Sequence, residues 1–154
     1  MIRNQPMTDR TIREASDLDS LHFWENGLLP VVAQEERTGA VLMVAFANKQ
    51  ALSRTLETGQ MHYWSRSRQE LWHKGATSGN YQDLVSLHMD CDSDTLLARV
   101  RQIGPACHTN ESTCFGQLPS EADPPNGDPA AEPSGAPFEE VLPSLWATLQ
   151  SRAE

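Results

Sequence analysis

Gln82-Asp83-Leu84-Val85-Ser86-Leu87-His88-Met89-Asp90-Cys91, continued by Asp92-Ser93-Asp94 and then Thr95-Leu96-Leu97-Ala98-Arg99-Val100-Arg101-Gln102-Ile103, decides the fold class. Residues of period two share one face of a strand. On that rule Leu84, Ser86, His88 and Asp90 lie opposite Val85, Leu87, Met89 and Cys91. After the acidic link, Leu96, Ala98 and Val100 lie opposite Leu97, Arg99 and Arg101. Two alternating strands joined by a short polar link predict a β-hairpin with its acids at the tip. Cys91 is expected on the apolar face, and the carboxylates of Asp90 and Asp92 on the other.

Upstream, Leu28–Gln34 and Val41–Phe46 read as two further strands joined by a hairpin-length turn containing Gly39. Their continuous apolar character predicts a sheet covered on both faces. Asn48 is placed to cap a helix from Lys49 to Thr58, with Gly59 at its C-terminal end. Ala51, Leu52, Thr55 and Leu56 form its packing stripe. Met61–Trp64 and Glu70–Lys74 read as short strands flanking Ser65–Arg68, and Gly75–Asn80 as a loop. The expected fold class is α+β, a mainly antiparallel sheet with one or two helices.

At 154 residues the chain has room for one sizeable core. A mean hydropathy of -0.51 is low for a wholly packed globule, so part of the chain is expected to stay unpacked. Residues 1–27 read as an arm, polar and loose over its first twenty positions. Residues 28–115 read as the domain, 116–137 as a proline-rich linker, and 138–154 as an amphipathic helix bearing Phe138, Val141, Leu142, Leu145, Trp146 and Leu149. No membrane span or signal peptide is expected, and three cysteines without an export signal point to the cytoplasm rather than to a disulfide framework. The formal net charge is -9, with seven acids against one base in residues 116–154. That balance excludes an electrostatic footprint for nucleic acid.

Three groups of residues could carry chemistry. Cys91, Cys107 and Cys114 lack the paired spacing of a zinc finger. Three thiolates plus water would make a catalytic zinc site; three unrelated buried thiols are the alternative, and spacing does not choose. His108 could be a fourth ligand, a general base or a polar loop residue. Asp90, Asp92 and Asp94 alternate as hard oxygen ligands for Mg²⁺ would, or as a solvated tip; the glycine and distal glutamate of an EF-hand are missing. Arg66, Arg68 and Lys74, with Thr77 and Ser78 in a glycine-containing loop, suit phosphate or are an ordinary solvated loop. The motif of the nucleobase deaminases, His-x-Glu with Pro-Cys-x-x-Cys, is absent.

Taken together, Val41–Phe46, Trp64-Ser65-Arg66-Ser67-Arg68, Leu71–Asn80, Asp90–Asp94, Gly104–Thr109 and Ser112–Phe115 resemble phosphoribosyl-AMP cyclohydrolase, an enzyme of histidine biosynthesis. The resemblance implies an intertwined homodimer with one Zn²⁺ and one Mg²⁺ per subunit. It implies zinc on Cys91 of one chain with Cys107 and Cys114 of the other, and Mg²⁺ on Asp90, Asp92 and Asp94. The implied reaction is hydrolysis of the N1–C6 bond of 1-(5-phosphoribosyl)-AMP by zinc-activated water. His108 is then the candidate proton carrier, with Arg66, Arg68, Lys74, Thr77 and Ser78 on the phosphates. Asn110, Glu111 and Ser112 depart from the family's usual glycine and basic residues, and Thr113 stands in place of its serine. Residues 116–154 are too few for the pyrophosphohydrolase domain fused in some relatives, so a single activity is expected.

Overall fold

A computed structural model of the chain describes residues 9–116. The elements run β1 (Thr11–Ile12), a 3-10 helix (Ala15–Ser20), β2 (Leu29–Glu35), β3 (Val41–Ala47), α1 (Lys49–Thr58), β4 (His62–Ser65), β5 (Glu70–His73), β6 (Gln82–Met89) and β7 (Leu96–Gln102). Five strands form one sheet in the order β1-β6-β7-β2-β3, and β4 pairs with β5 in a separate ribbon. Every pairing is antiparallel except β2 with β7. The expected α+β class with a mainly antiparallel sheet is the architecture found.

The helix follows its sequence signals residue for residue. Asn48 accepts a hydrogen bond from the Ala51 backbone N–H through its side chain, and Gly59 closes the helix at φ 71°. Ala51, Leu52 and Thr55 are its buried face. They meet Met61 just before β4, Tyr63 within it, and the inward row Leu29, Val31, Ala33, Leu87, Leu96, Ala98 and Val100 of the sheet in one core. Where a polar group enters that core it is paired. The Tyr63 hydroxyl donates to Gln82 Oε1 at 2.7 Å, and Gln82 Nε2 donates to Gln102 Oε1 at 2.9 Å.

Four expectations are corrected. The hairpin β6–β7 forms, but its pairing shifts between Leu84 and Ser86. A bulge adds one residue and reverses the parity of everything beyond it. Leu84 before it and Leu87 and Met89 after it therefore all pack on the core, while Val85 is 43% exposed. The strand also stops at Met89, so Cys91 lies in the following turn and is exposed rather than on an apolar face. The described part of residues 1–20 is no loose arm. β1 adds to the edge of β6, and Ile12 and Leu18, with Leu21 just beyond, are buried in the core. Finally, within the described residues the sheet is covered on one face only. Val32 stands opposite both Val44 and Leu97 on the outward side, where Val44 is 49% and Leu97 36% exposed. The expected linker (116–137) and terminal helix (138–154) lie outside the described residues.

Candidate active site

The acidic turn is built by its own backbone. Asp90 Oδ1 accepts from the N–H groups of Asp94 (3.1 Å) and Thr95 (3.2 Å), and Asp90 N–H donates to the Thr95 carbonyl at 3.0 Å. Ser93 takes a left-handed conformation (φ 64°) to close the turn. The N-terminal segment holds it from outside: His22 N–H donates to the Ser93 carbonyl, and His22 Nδ1 to the Asp92 carbonyl, both at 2.8 Å. Asp90, Asp92 and Asp94 thereby present oxygens that all lie within 4.8 Å of one another. Asp92 is pushed up by the hydrogen bond it shares with Asp90, then by the charges of Asp90 and Asp94. Partial burial opposes ionisation of Asp90, but the N–H of Thr95 and the groups of Asp92 and Asp94 outweigh it and hold its carboxyl low. A cluster that resists its own full ionisation is one that a divalent cation would relieve.

The thiols sit on the loop after β7. Cys107 N–H donates to the Glu111 carbonyl and Asn110 N–H to the Cys107 carbonyl, both at 3.1 Å. Thr113 is buried, and its hydroxyl donates to the carbonyls of Val41 (2.8 Å) and Leu42 (3.1 Å) while Cys114 N–H donates to Leu42 at 2.8 Å. The loop is thus fastened to β3 at the residue next to a thiol. Cys107 and Cys114 affect each other's ionisation. The Thr109 hydroxyl, 3.1 Å from the sulfur, and then the Thr109 backbone pull Cys107 down, whereas partial burial and then Cys107 push Cys114 up. His108 is exposed beside them, its Nδ1 3.9 Å from Cys107 Sγ. Cys91 does not join this pair: the acids of the β6–β7 turn are the one grouping of three metal-type ligands among the described residues.

The residues expected at phosphate divide. Lys74 is buried, its ammonium donating to the Asn80 carbonyl at 3.2 Å. Burial pushes its pKa down, and the neighbouring Cys114 and Cys107 pull it back up. Gly75 follows it with no room for a side chain, since a Cβ there would come within 2.5 Å of the Tyr81 backbone nitrogen. Thr77 and Ser78 are exposed in the turn beyond. Arg68 pairs with Glu70 at 3.1 Å, and Arg66 lies over the Phe46 ring, its guanidinium carbon 3.9 Å from the centroid.

A family model for phosphoribosyl-AMP cyclohydrolase matches residues 43–116, the stretch that includes the acidic turn and the thiol loop. A phosphoribosyl-AMP cyclohydrolase of Jannaschia sp. is 58% identical over 99 residues, covering 64% of this chain and 83% of the relative. The chain belongs to the phosphoribosyl-AMP cyclohydrolase family. It is also similar to the histidine biosynthesis bifunctional proteins HisIE of Synechocystis sp. (50% identical, 81% of this chain) and Deinococcus radiodurans (54% identical, 72% of this chain). It spans only 59% and 51% of the length of those two relatives. Members of the cyclohydrolase family are hydrolases of histidine biosynthesis. Within this member, sequence reasoning passed over His22 and gave Thr109 and Thr113 no role beyond their place in the matching stretches. Only Thr113 carried a signal, as a hydroxyl residue directly before a candidate ligand.

Proposed function

We propose that the chain opens the purine ring of 1-(5-phosphoribosyl)-AMP by hydrolysis of the N1–C6 bond, giving the phosphoribosyl-formimino carboxamide ribotide intermediate of histidine biosynthesis. The observation that carries this reading is the separation of two donor sets of opposite hardness in a chain of this family. The oxygens of Asp90, Asp92 and Asp94 suit Mg²⁺, which takes carboxylates and keeps waters. The thiols of Cys107 and Cys114 suit Zn²⁺, with Cys91 of a second copy as the third ligand. The proposal includes one zinc and one magnesium per subunit of a cytoplasmic homodimer. The outward apolar row of Val32, Val44 and Leu97 supports the dimer, being a surface this fold leaves open to water.

Cys107 and Cys114, with Cys91 of a second copy, would hold a zinc ion, which when bound would lower the pKa of a water towards neutrality. The chain's own groups do the rest. Thr109 favours the ionised form of the Cys107 sulfur, and Lys74, whose charge is felt by both thiols, stays a candidate for phosphate as well. His108, exposed at the thiol rim, takes the proton from the attacking water and delivers it to N1 as the N1–C6 bond breaks. Water adds across that bond, leaving a carboxamide at C6 and a formamidine at N1. Of the other phosphate candidates, Arg66 is a cation with no carboxylate partner among the described residues, Arg68 is paired with Glu70, and Thr77 and Ser78 offer exposed hydroxyls. The test is ring opening of phosphoribosyl-AMP followed by ultraviolet difference, alongside metal analysis. Turnover with both metals bound is expected; a metal-replete dimer that does not open the ring overturns the reading.

A further inference from the structure

A cavity of about 340 Å³ lies between the turn that precedes β2, the start of α1 and the β4–β5 hairpin, at Asn26, Asn48, Trp64, Arg66 and Gln69. No acidic side chain lines it. Its polar groups are already oriented by bonds that leave their donors free. Asn48 spends its oxygen on capping α1, and Asn26 spends its own on the Leu28 N–H at 3.1 Å, so each turns an NH₂ group outward. Arg66 lies over the Phe46 ring, its guanidinium carbon 3.9 Å from the centroid, and Phe46 packs edge-on against Trp24. Among the described residues, neither the Arg66 guanidinium nor the Trp64 indole N–H nor the two amide NH₂ groups has a hydrogen-bond partner. Gln69 differs: its NH₂ donates to the Arg66 carbonyl at 2.6 Å, and its oxygen remains as an acceptor.

We propose that this cavity is the subsite for one ribose 5′-phosphate arm of the substrate, with Arg66, Asn48, Asn26 and Trp64 donating to the phosphate and Gln69 accepting from a ribose hydroxyl. The proposal rests on the reaction assigned above. One cation and three neutral donors with no acid is the composition that favours an anion over a cation or a neutral base. The volume is at the small end of ligand sites, right for one phosphoribosyl arm and too small for the whole two-armed nucleotide. It also separates Arg66 from Arg68, whose guanidinium is engaged with Glu70 and Ser65.

The test uses the metal-loaded full chain and two variants. Asn48→Asp keeps an N-cap of equal quality, so α1 stays intact while a carboxylate enters the cavity. Arg66→Gln removes the cation. Each should raise KM for phosphoribosyl-AMP by about tenfold to a hundredfold, the worth of a hydrogen bond to a charged group, with a much smaller effect on kcat. Ribose 5-phosphate, measured by calorimetry, should bind the unmodified chain and lose affinity in both variants. Unchanged KM and unchanged ribose 5-phosphate binding in both variants overturn the subsite. If the unmodified chain opens no ring yet binds ribose 5-phosphate in a manner lost on Asn48→Asp, the reaction assignment falls and the subsite stands.

Discussion

Cys107 and Cys114 are neighbours whose thiols are shifted in opposite directions, Cys107 down by the Thr109 hydroxyl and Cys114 up by desolvation. On the proposed mechanism Cys107 is the first thiolate available to a metal. Cys107→Ser should therefore abolish both zinc content and ring opening, whereas His108→Ala should keep its zinc and lose about 10²–10⁴ in kcat. Metal analysis of the purified variants beside the ultraviolet assay separates the two, and a zinc-replete His108→Ala with undiminished kcat removes that histidine from proton transfer. At this scale the donor types were legible in the sequence, since the chemistry of Asp-x-Asp-x-Asp and of lone cysteines does not depend on the fold. What each donor faces was not. Lys74 reads in the sequence as one more cation for phosphate, and only the structure shows that it is buried and donates to the Asn80 carbonyl.

Elements with local causes were read to the residue. Asn48 and Gly59 delimit α1 because caps act within a single turn. The parity of β6 failed because a bulge is settled by the partner strand, which no run of alternating residues reveals. The N-terminal segment failed for a related reason. β1 has two residues and no periodicity, and it is a strand only because the β6 edge is there to pair with it. The thiol loop depends on a tertiary anchor of the same kind. Thr113→Val should cost about 1–2 kcal/mol in a urea melt, as a buried carbonyl loses its donor, and should speed zinc loss to a chelator. Zinc retention equal to that of the unmodified chain would show that the anchor does not position Cys114.

The β4–β5 ribbon carries a pH dependence of its own. His62 and His73 stack at 4.2 Å, and His73 donates from Nε2 to Gln60 Oε1 at 2.9 Å. Burial, and then the His62 charge, lower the His73 pKa from 6.5, so the unfolded chain binds the proton more readily. Stability should thus be full above 6.5 and decline as pH falls below it. Melting temperature against pH should show that decline in the unmodified chain and flatten in His73→Gln; an identical profile in both assigns the dependence elsewhere.

For the molecule as a whole, the sheet leaves its second face to water at Val32, Val44 and Leu97. The apolar runs of β2 and β3 made a two-sided sheet the natural expectation, and what covers the second face is information that one chain does not contain. With a second copy as the cover, mixing Cys91→Ala with Cys107→Ala subunits should restore part of the activity, since one hybrid interface has all three thiols. Hybrids shown by mass spectrometry to form, yet inactive, would argue against the shared site.

The place of Cys91, in the acidic turn and outside the Cys107–Cys114 pair, has a further consequence on this reading. An isolated chain could hold its hard-metal site but not complete its soft one. Catalysis would then obey mass action. Specific activity should fall on dilution below the dimer dissociation constant, and added zinc should partly reverse the loss by binding only the associated form.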